Sequence, residues 1–182
     1  DISRGRYRLL QALINKQNDC RIMCVGDDWQ SIYGFNGSDI RFTFDFEKVF
    51  GKTSRVDLDK SFRFTQPILD VSSRFIQKNN YQIKKNPYSS IINDVDSPIN
   101  FVEINDYYEG SVGEVINLIP PSDSNKNTFI LGRNNFHIHE DTIGSLSAVN
   151  RNDLNLKKST IHSAKGLEAE NIIIFGNEGG LK

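Results

Sequence analysis

Arg21-Ile22-Met23-Cys24-Val25-Gly26, followed at once by Asp27-Asp28-Trp29-Gln30, is the stretch on which the fold turns. A short, nearly unbroken apolar run ended by glycine and two aspartates has the form of a buried parallel strand that empties into a loop. Upstream, Tyr7, Leu10, Leu13 and Ile14 recur at helical spacing and predict an amphipathic helix over residues 3–17. Downstream, Ser38 can cap a helix carrying Ile40, Phe44 and Val49 that stops at Gly51. A second strand is expected from Arg55 to Leu58. Thr65 can then cap a third helix, with Pro67 in its first turn and Ile68, Val71, Phe75 and Ile76 on its buried face.

Residues 78–98, rich in Asn, Ser, Lys and Pro, keep no period and read as a long loop or an edge hairpin. Strands are expected at 99–104, 128–131 and 171–175, with helices at 111–119 and 136–148. Strands alternating with helices predict an α/β fold, with parallel sheets flanked by helices.

Length and composition bound the function. The 182 residues are 37% hydrophobic and 25% charged, which excludes a disordered tail, a collagen-like chain and a coiled-coil rod. Lys+Arg 22 against Asp+Glu 23 leaves a net charge of −1, so any nucleic-acid contact has to be local. No apolar run reaches the roughly 20 residues of a membrane span. The start at Asp1, without Met or an apolar leader, leads us to expect a piece of a longer chain. Cys20 and Cys24, on different elements by this reading, suit a reducing, cytoplasmic setting and the role of plain apolar residues.

Three segments carry chemistry. Residues 25–39 place two acids, the amide of Gln30 and the aromatics Tyr33 and Phe35 among glycines, at the carboxyl end of an expected strand, where open α/β sheets place ligands. The same loop could be a turn with its aromatics tucked into the core. Residues 59–65 put Arg63 between a strand end and a capped helix, a place equally suited to a surface ion pair. Residues 159–168 set His162, Lys165 and Glu168 at equal spacing around Gly166 in a polar loop. His137 and His139 fall on one face of an expected strand, without a third ligand. Lys84-Lys85, Lys157-Lys158 and the cluster Arg4, Arg6, Arg8 read as ordinary solvated charge.

Taken in order, these segments resemble the UvrD/Rep-type superfamily 1 DNA helicases. Gly26 to Tyr33 is similar to the family's motif III, Leu58 to Arg63 to motif IV, and Thr160 to Glu168 to motif V. Asp1-Ile2-Ser3 resembles the tail of motif II. Trp29 and the phrase from Phe42 to Phe50 resemble a compact bacterial branch of the family. So does the short connection between Arg133 and Ser159, which is too brief for an inserted domain.

The resemblance implies parts of two RecA-like lobes, residues 1–64 ending the first and 65–182 forming much of the second. It implies an ATP-dependent enzyme that translocates 3′ to 5′ on single-stranded DNA and unwinds duplex, with single-stranded DNA, duplex junctions and ATP as partners and no membrane. By the resemblance Gln30 faces the γ-phosphate, Arg63 serves as an arginine finger, and Gly166 and Glu168 meet the nucleotide. Tyr33, Phe35 and His162 face DNA, Tyr33 being equally suited to the core. Lys165 suits either a phosphate or a neighbouring acid. Phe35 and Asn36 stand where larger members carry Trp and Arg, so Asn36 removes a phosphate-contacting charge.

No Gly-x-x-x-x-Gly-Lys-Ser/Thr loop occurs in the sequence. The motif II acids that the resemblance implies for Mg²⁺ are absent too, so the Mg²⁺ ligands are expected outside it, with no metal site within it and no ATPase from these residues alone. The rival class is a non-catalytic DNA-binding or protein-interaction module of helicase-like shape.

Overall fold

The computed structural model describes residues 2–92, 99–103 and 111–175. The chain divides into two compact units, Asp1–Asn100 and Phe101–Lys182. The lobe boundary expected near Phe64-Thr65 falls inside the first unit.

In the first unit, α1 runs over Arg4–Ile14, with the Ser3 side chain accepting from the Arg6 amide at 3.4 Å as its cap. The expected helix beyond Ser38 is broken in two, α2 (Arg41–Phe44) and α3 (Phe46–Phe50), by the non-helical backbone of Asp45. Ile40, not Ser38, occupies the cap position. Gly51 ends α3 at φ 89°, a conformation glycine adopts without steric cost. Tyr7 joins these helices, stacking on Phe42 at 4.6 Å and meeting Phe50 edge-on at 5.7 Å. Such aromatic pairs add to the area they bury.

Residues 21–26 are not a strand. They run without regular structure, and Val25 is 84% exposed. An apolar run becomes a strand only where a neighbour pairs its amides and carbonyls, and no described residue does so here. Cys20 and Cys24 are accordingly exposed rather than packed. Residues 55–58 are likewise irregular; the strand comes later, as β1 (Lys60–Thr65), and carries Arg63 within it. Thr65 caps α4 (Gln66–Ile76) by its extended backbone, without a side-chain bond. The buried face of α4 is Leu69 and Ser73, while Val71 and Phe75 are exposed. The expected loop or hairpin over 78–98 contains β2 (Tyr88–Ile91), which pairs with β1 in parallel; residues 93–98 lie outside the described residues.

The second unit is built on a parallel sheet. Here β3 (Lys126–Gly132) lies between β4 (Leu154–Thr160) and β5 (Asn171–Phe175). Residues 99–103 form no strand, and Ile104 lies outside the described residues. Helix α5 spans Ser111–Asn117. The helix expected over 136–148 is in pieces: a 3₁₀ turn at Asn135–Ile138, α6 (Glu140–Ile143), and a second turn at Leu146–Ala148. His139 and Gly144 interrupt it with extended ψ.

One core closes the unit, with Val112 and Ile116 from α5 packed with Ile130, Ile138, Ile143, Leu154 and Phe175. Arg151 ties α5 down, donating to the carbonyls of Ile116 and Ile119 at 3.1 and 2.9 Å and forming a two-bond pair with Asp153. That pair holds the Asp153 carboxyl far below its ordinary value. The architecture is mixed α/β with parallel sheets flanked by helices, in keeping with RecA-like helicase lobes.

Candidate functional site

The loop after residue 26 is organised from its acids upward. Asp27 caps a 3₁₀ turn over Asp28–Gln30, its carboxylate accepting from the Trp29 amide at 3.1 Å. Its other oxygen accepts from the Gln30 side-chain nitrogen at 2.9 Å. Asp28, beside it, is 1% exposed. A carboxylate so buried needs partners, and they come from residues 82–85. The Ile83 amide donates to Oδ2 at 2.7 Å, the Gln82 amide, assigned with its nitrogen facing the carboxylate, donates to the same oxygen at 2.7 Å, and Lys85 Nζ lies 2.5 Å from Oδ1.

Lys85 reaches Asp27 as well, at 2.7 Å, and sits 5.1 Å from the centroid of the Trp29 ring. The Trp29 indole N–H donates to the Ile83 carbonyl at 2.9 Å, so the loop is pinned at both carboxylates and at the indole. Burial alone would push Asp27 up; hydrogen bonds from Lys85 and Gln30 outweigh it and hold the carboxyl below its usual value. Burial alone would push Lys85 down, but Asp27 and Asp28 outweigh it and raise the ammonium. Lys85 is therefore not the ordinary surface charge its sequence context suggests. The signal that could have found it was the acid pair, because two adjacent carboxylates, one of them buried, call for a cation.

Beyond the pinned turn the chain displays aromatics. Tyr33 is half-buried, Phe35 is 71% exposed, and their rings lie 6.0 Å apart with planes tilted by 59°. A second short turn, Gly34–Asn36, carries Phe35 beside Tyr33 at its cap and closes on Gly37 at φ 79°. Arg63 is exposed on β1, its guanidinium carbon 5.7 Å from the ring centroid of Phe64. The structure thus brings Gln30 to Asp27 and Tyr33 to Phe35.

His162, Gly166 and Glu168 belong to the second unit. The loop carrying them leaves the carboxyl end of β4, whose last residue, Thr160, pairs with Gly132 at the carboxyl end of β3. Its first turn is fixed from within. The Thr160 hydroxyl accepts from the Ser163 amide at 3.2 Å and donates to its hydroxyl at 2.9 Å, and the Ala164 amide donates to the Thr160 carbonyl. Gly166 takes φ 85° with open space where a Cβ would sit, so backbone angle and not crowding calls for glycine there. His162 and Lys165 are partly buried and Glu168 is exposed.

The two other histidines are not on a strand. His137 is buried in a 3₁₀ turn, its Nδ1 accepting from the Asn134 amide at 3.4 Å, and His139 caps α6. Among the described residues no three His, Cys, Asp or Glu side chains gather as a metal site, and no helix is long and apolar enough to cross a membrane.

Comparison with known proteins gives these loops a context. Residues 1–51 match the UvrD/REP helicase N-terminal domain. The chain is 32% identical to DNA helicase IV of Escherichia coli over 180 residues, 99% of this chain and 25% of that protein. It is 32% identical over 117 residues to the putative ATP-dependent DNA helicase YjcD of Bacillus subtilis, covering 62% of this chain and 14% of that protein. Over 94 residues it is 32% identical to the ATP-dependent DNA helicase PcrA of Staphylococcus aureus, covering 51% and 12%. The chain thus spans a quarter or less of the length of these relatives, and what it is similar to across nearly all its residues is a UvrD-like DNA helicase.

Proposed function

We propose that this chain is part of an ATP-dependent DNA helicase, with residues 1–64 from the end of one RecA-like lobe and 65–182 from the next. The complete protein would translocate 3′ to 5′ along single-stranded DNA in the cytoplasm and unwind duplex at junctions. The observation that carries this reading is the loop of residues 27–37. One end, around Gln30, is pinned by Asp27 and Asp28, while the other displays Phe35 to solvent beside Tyr33. A neutral amide suits a γ-phosphate, because it can donate to a phosphate oxygen or orient a water. Aromatic planes suit bases of any sequence. One rigid loop bearing both offers a short path from nucleotide to DNA.

Arg63 supplies a planar donor fork for charge developing on the transferred phosphoryl group. Gly166 and Glu168 meet the nucleotide from the motif V-like loop, and His162 meets the DNA strand. Asp27 and Asp28 are committed to Lys85 and do not fit a magnesium site, so the reading places Mg²⁺ ligands and the phosphate loop outside these residues. Alone, these residues would not turn over ATP.

The full-length protein tests this with two variants. Arg63→Ala should keep ATP binding within about tenfold while turnover falls by on the order of 10³–10⁵. Phe35→Ala should weaken single-strand binding by about 1–3 kcal/mol with little dependence on base sequence, and leave ATP binding intact. Normal turnover in the first, together with normal DNA affinity in the second, would favour the non-catalytic module.

A further inference from the structure

We propose that Lys85 is a positioning residue for Gln30, acting through the carboxylate of Asp27. The proposal rests on the reading of Gln30 as the nucleotide-facing amide and goes beyond it in naming what aims that amide.

The contacts form one relay. Lys85 Nζ binds Asp27 Oδ1 at 2.7 Å, and Asp27 Oδ2 holds the Gln30 side-chain nitrogen at 2.9 Å. The same ammonium lies 2.5 Å from Asp28 Oδ1, which fixes it from the buried side. Gln30 is exposed, and a long amide at an exposed position samples several rotamers unless something holds it. Asp27 can hold it only while the carboxylate itself stays in place. Without Lys85 two neighbouring carboxylates, one buried, would face each other with no counter-charge, a state relieved by moving apart or taking up a proton. Either response releases Gln30.

Trp29 lies within the relay. Lys85 covers its ring and Ile83 accepts from its indole, so the indole reports whether the clamp is closed. A lysine suits the place because a compact charge with three rotatable donors can serve two carboxylates at once, which a planar guanidinium does less well.

The test compares Lys85→Met, Lys85→Arg, Gln30→Ala and the double variant Lys85→Met/Gln30→Ala in the full-length protein, by DNA-stimulated ATPase. Lys85→Met should lower kcat by roughly tenfold to a hundredfold with KM for ATP nearly unchanged, the signature of misplacement rather than lost binding. The double variant should fall no further than Gln30→Ala, and Lys85→Arg should recover part of the loss. Fluorine NMR of 5-fluorotryptophan, with Trp29 assigned by Trp29→Phe, should show that resonance shifted in Lys85→Met.

Wild-type kcat in Lys85→Met beside a damaged Gln30→Ala overturns this proposal alone, and so do strictly additive losses. A silent Gln30→Ala overturns the nucleotide reading and this proposal with it. If Lys85→Met fails to fold, Asp27→Asn decides. It leaves Lys85 paired with Asp28 and an oxygen for the Trp29 amide, yet should reproduce the kcat loss; unchanged kcat there overturns the proposal.

Discussion

Two ways of holding a loop in place stand side by side in this chain. In residues 101–182 the motif V-like loop leaves a strand whose sheet is backed by a continuous apolar core, with Ile116, Ile130 and Ile143 wholly buried. In residues 1–100 the only buried apolar side chains among the described residues are Phe42 and Leu69, and neither is wholly buried. They are matched there by three buried polar ones, Asp28, Ser73 and Gln82. The first loop rides on burial, which is strong and without direction. The second is fixed by directed contacts between Asp27, Asp28, Trp29 and residues 82–85. Burial sets where a backbone goes; a charge clamp also sets which way a side chain points.

The contrast predicts different vulnerabilities. Ile130→Ala should be the costliest change, about 2–5 kcal/mol, because the central strand cannot collapse into the cavity. Asp28→Ala should cost less, about 1–3 kcal/mol, chiefly by leaving the Ile83 amide without an acceptor. Asp28→Leu should be no better, since an apolar side chain fills space but accepts nothing. Urea unfolding, followed by circular dichroism for the first variant and by Trp29 fluorescence for the second, measures both. An Asp28→Leu protein more stable than the parent would show that packing, not the clamp, holds the loop of residues 27–37.

Within the second unit the contrast recurs between two glycines. A Cβ on Gly132 would lie 2.8 Å from Ile138 Cγ2, 2.9 Å from His137 Cβ and 3.2 Å from the Asn134 carbonyl oxygen. Gly132→Ala should therefore cost about 1–3 kcal/mol by overpacking. Gly166 has open space but φ 85°, so Gly166→Asn should be tolerated better than Gly166→Ala, asparagine being the more at ease in the left-handed region. Thermal melts of the three variants separate crowding from backbone strain; equal losses for Asn and Ala at Gly166 would dissolve the distinction.

The elements legible in sequence were those whose burial is local. Asn171–Phe175 is apolar after its first residue and is a strand; the helix at Arg4–Ile14 announces itself by period and cap. Residues 21–26 carry an equally apolar run and are not a strand, because strand formation is settled by a neighbour and not by the run itself. The opposite error hides β4. Only Leu154 and Leu156 of its residues join or pack against the core, while Lys157 and Lys158 face outward from an outer strand, so its pattern reads as polar loop. In the site, Gln30 and Phe35 could be named from their motif. The acid pair signals that a cation is needed but not that it is Lys85, since Asp27 lies 58 positions away and the surroundings of Lys85, Lys84 and Asn86, are those of any solvated turn.

The smallest expected effect belongs to another acid of the first unit that is held by charge. Asp39 accepts two bonds from the Arg41 guanidinium, at 2.8 and 2.6 Å, and one from the Arg41 amide at 3.1 Å, while its own amide donates to the Ile2 carbonyl. Hydrogen bonding to Arg41 lowers its carboxyl to about 2. The folded value thus lies below the unfolded one, near 3.9. The pair's contribution is therefore complete above about pH 4 and is lost as pH falls towards about 2. Arg41 is exposed, so solvent and salt screen the pair and the effect stays modest. Asp39→Asn should melt slightly lower than the parent at pH 7, and the gap should close on acidification to pH 2. At neutral pH it should also narrow in molar salt, which the Asp28 clamp, shielded from water on its buried side, should resist. A gap that persists at pH 2 would mean that Asp39 acts through its backbone bond to Ile2, and this corner of the first unit would then be held without charge.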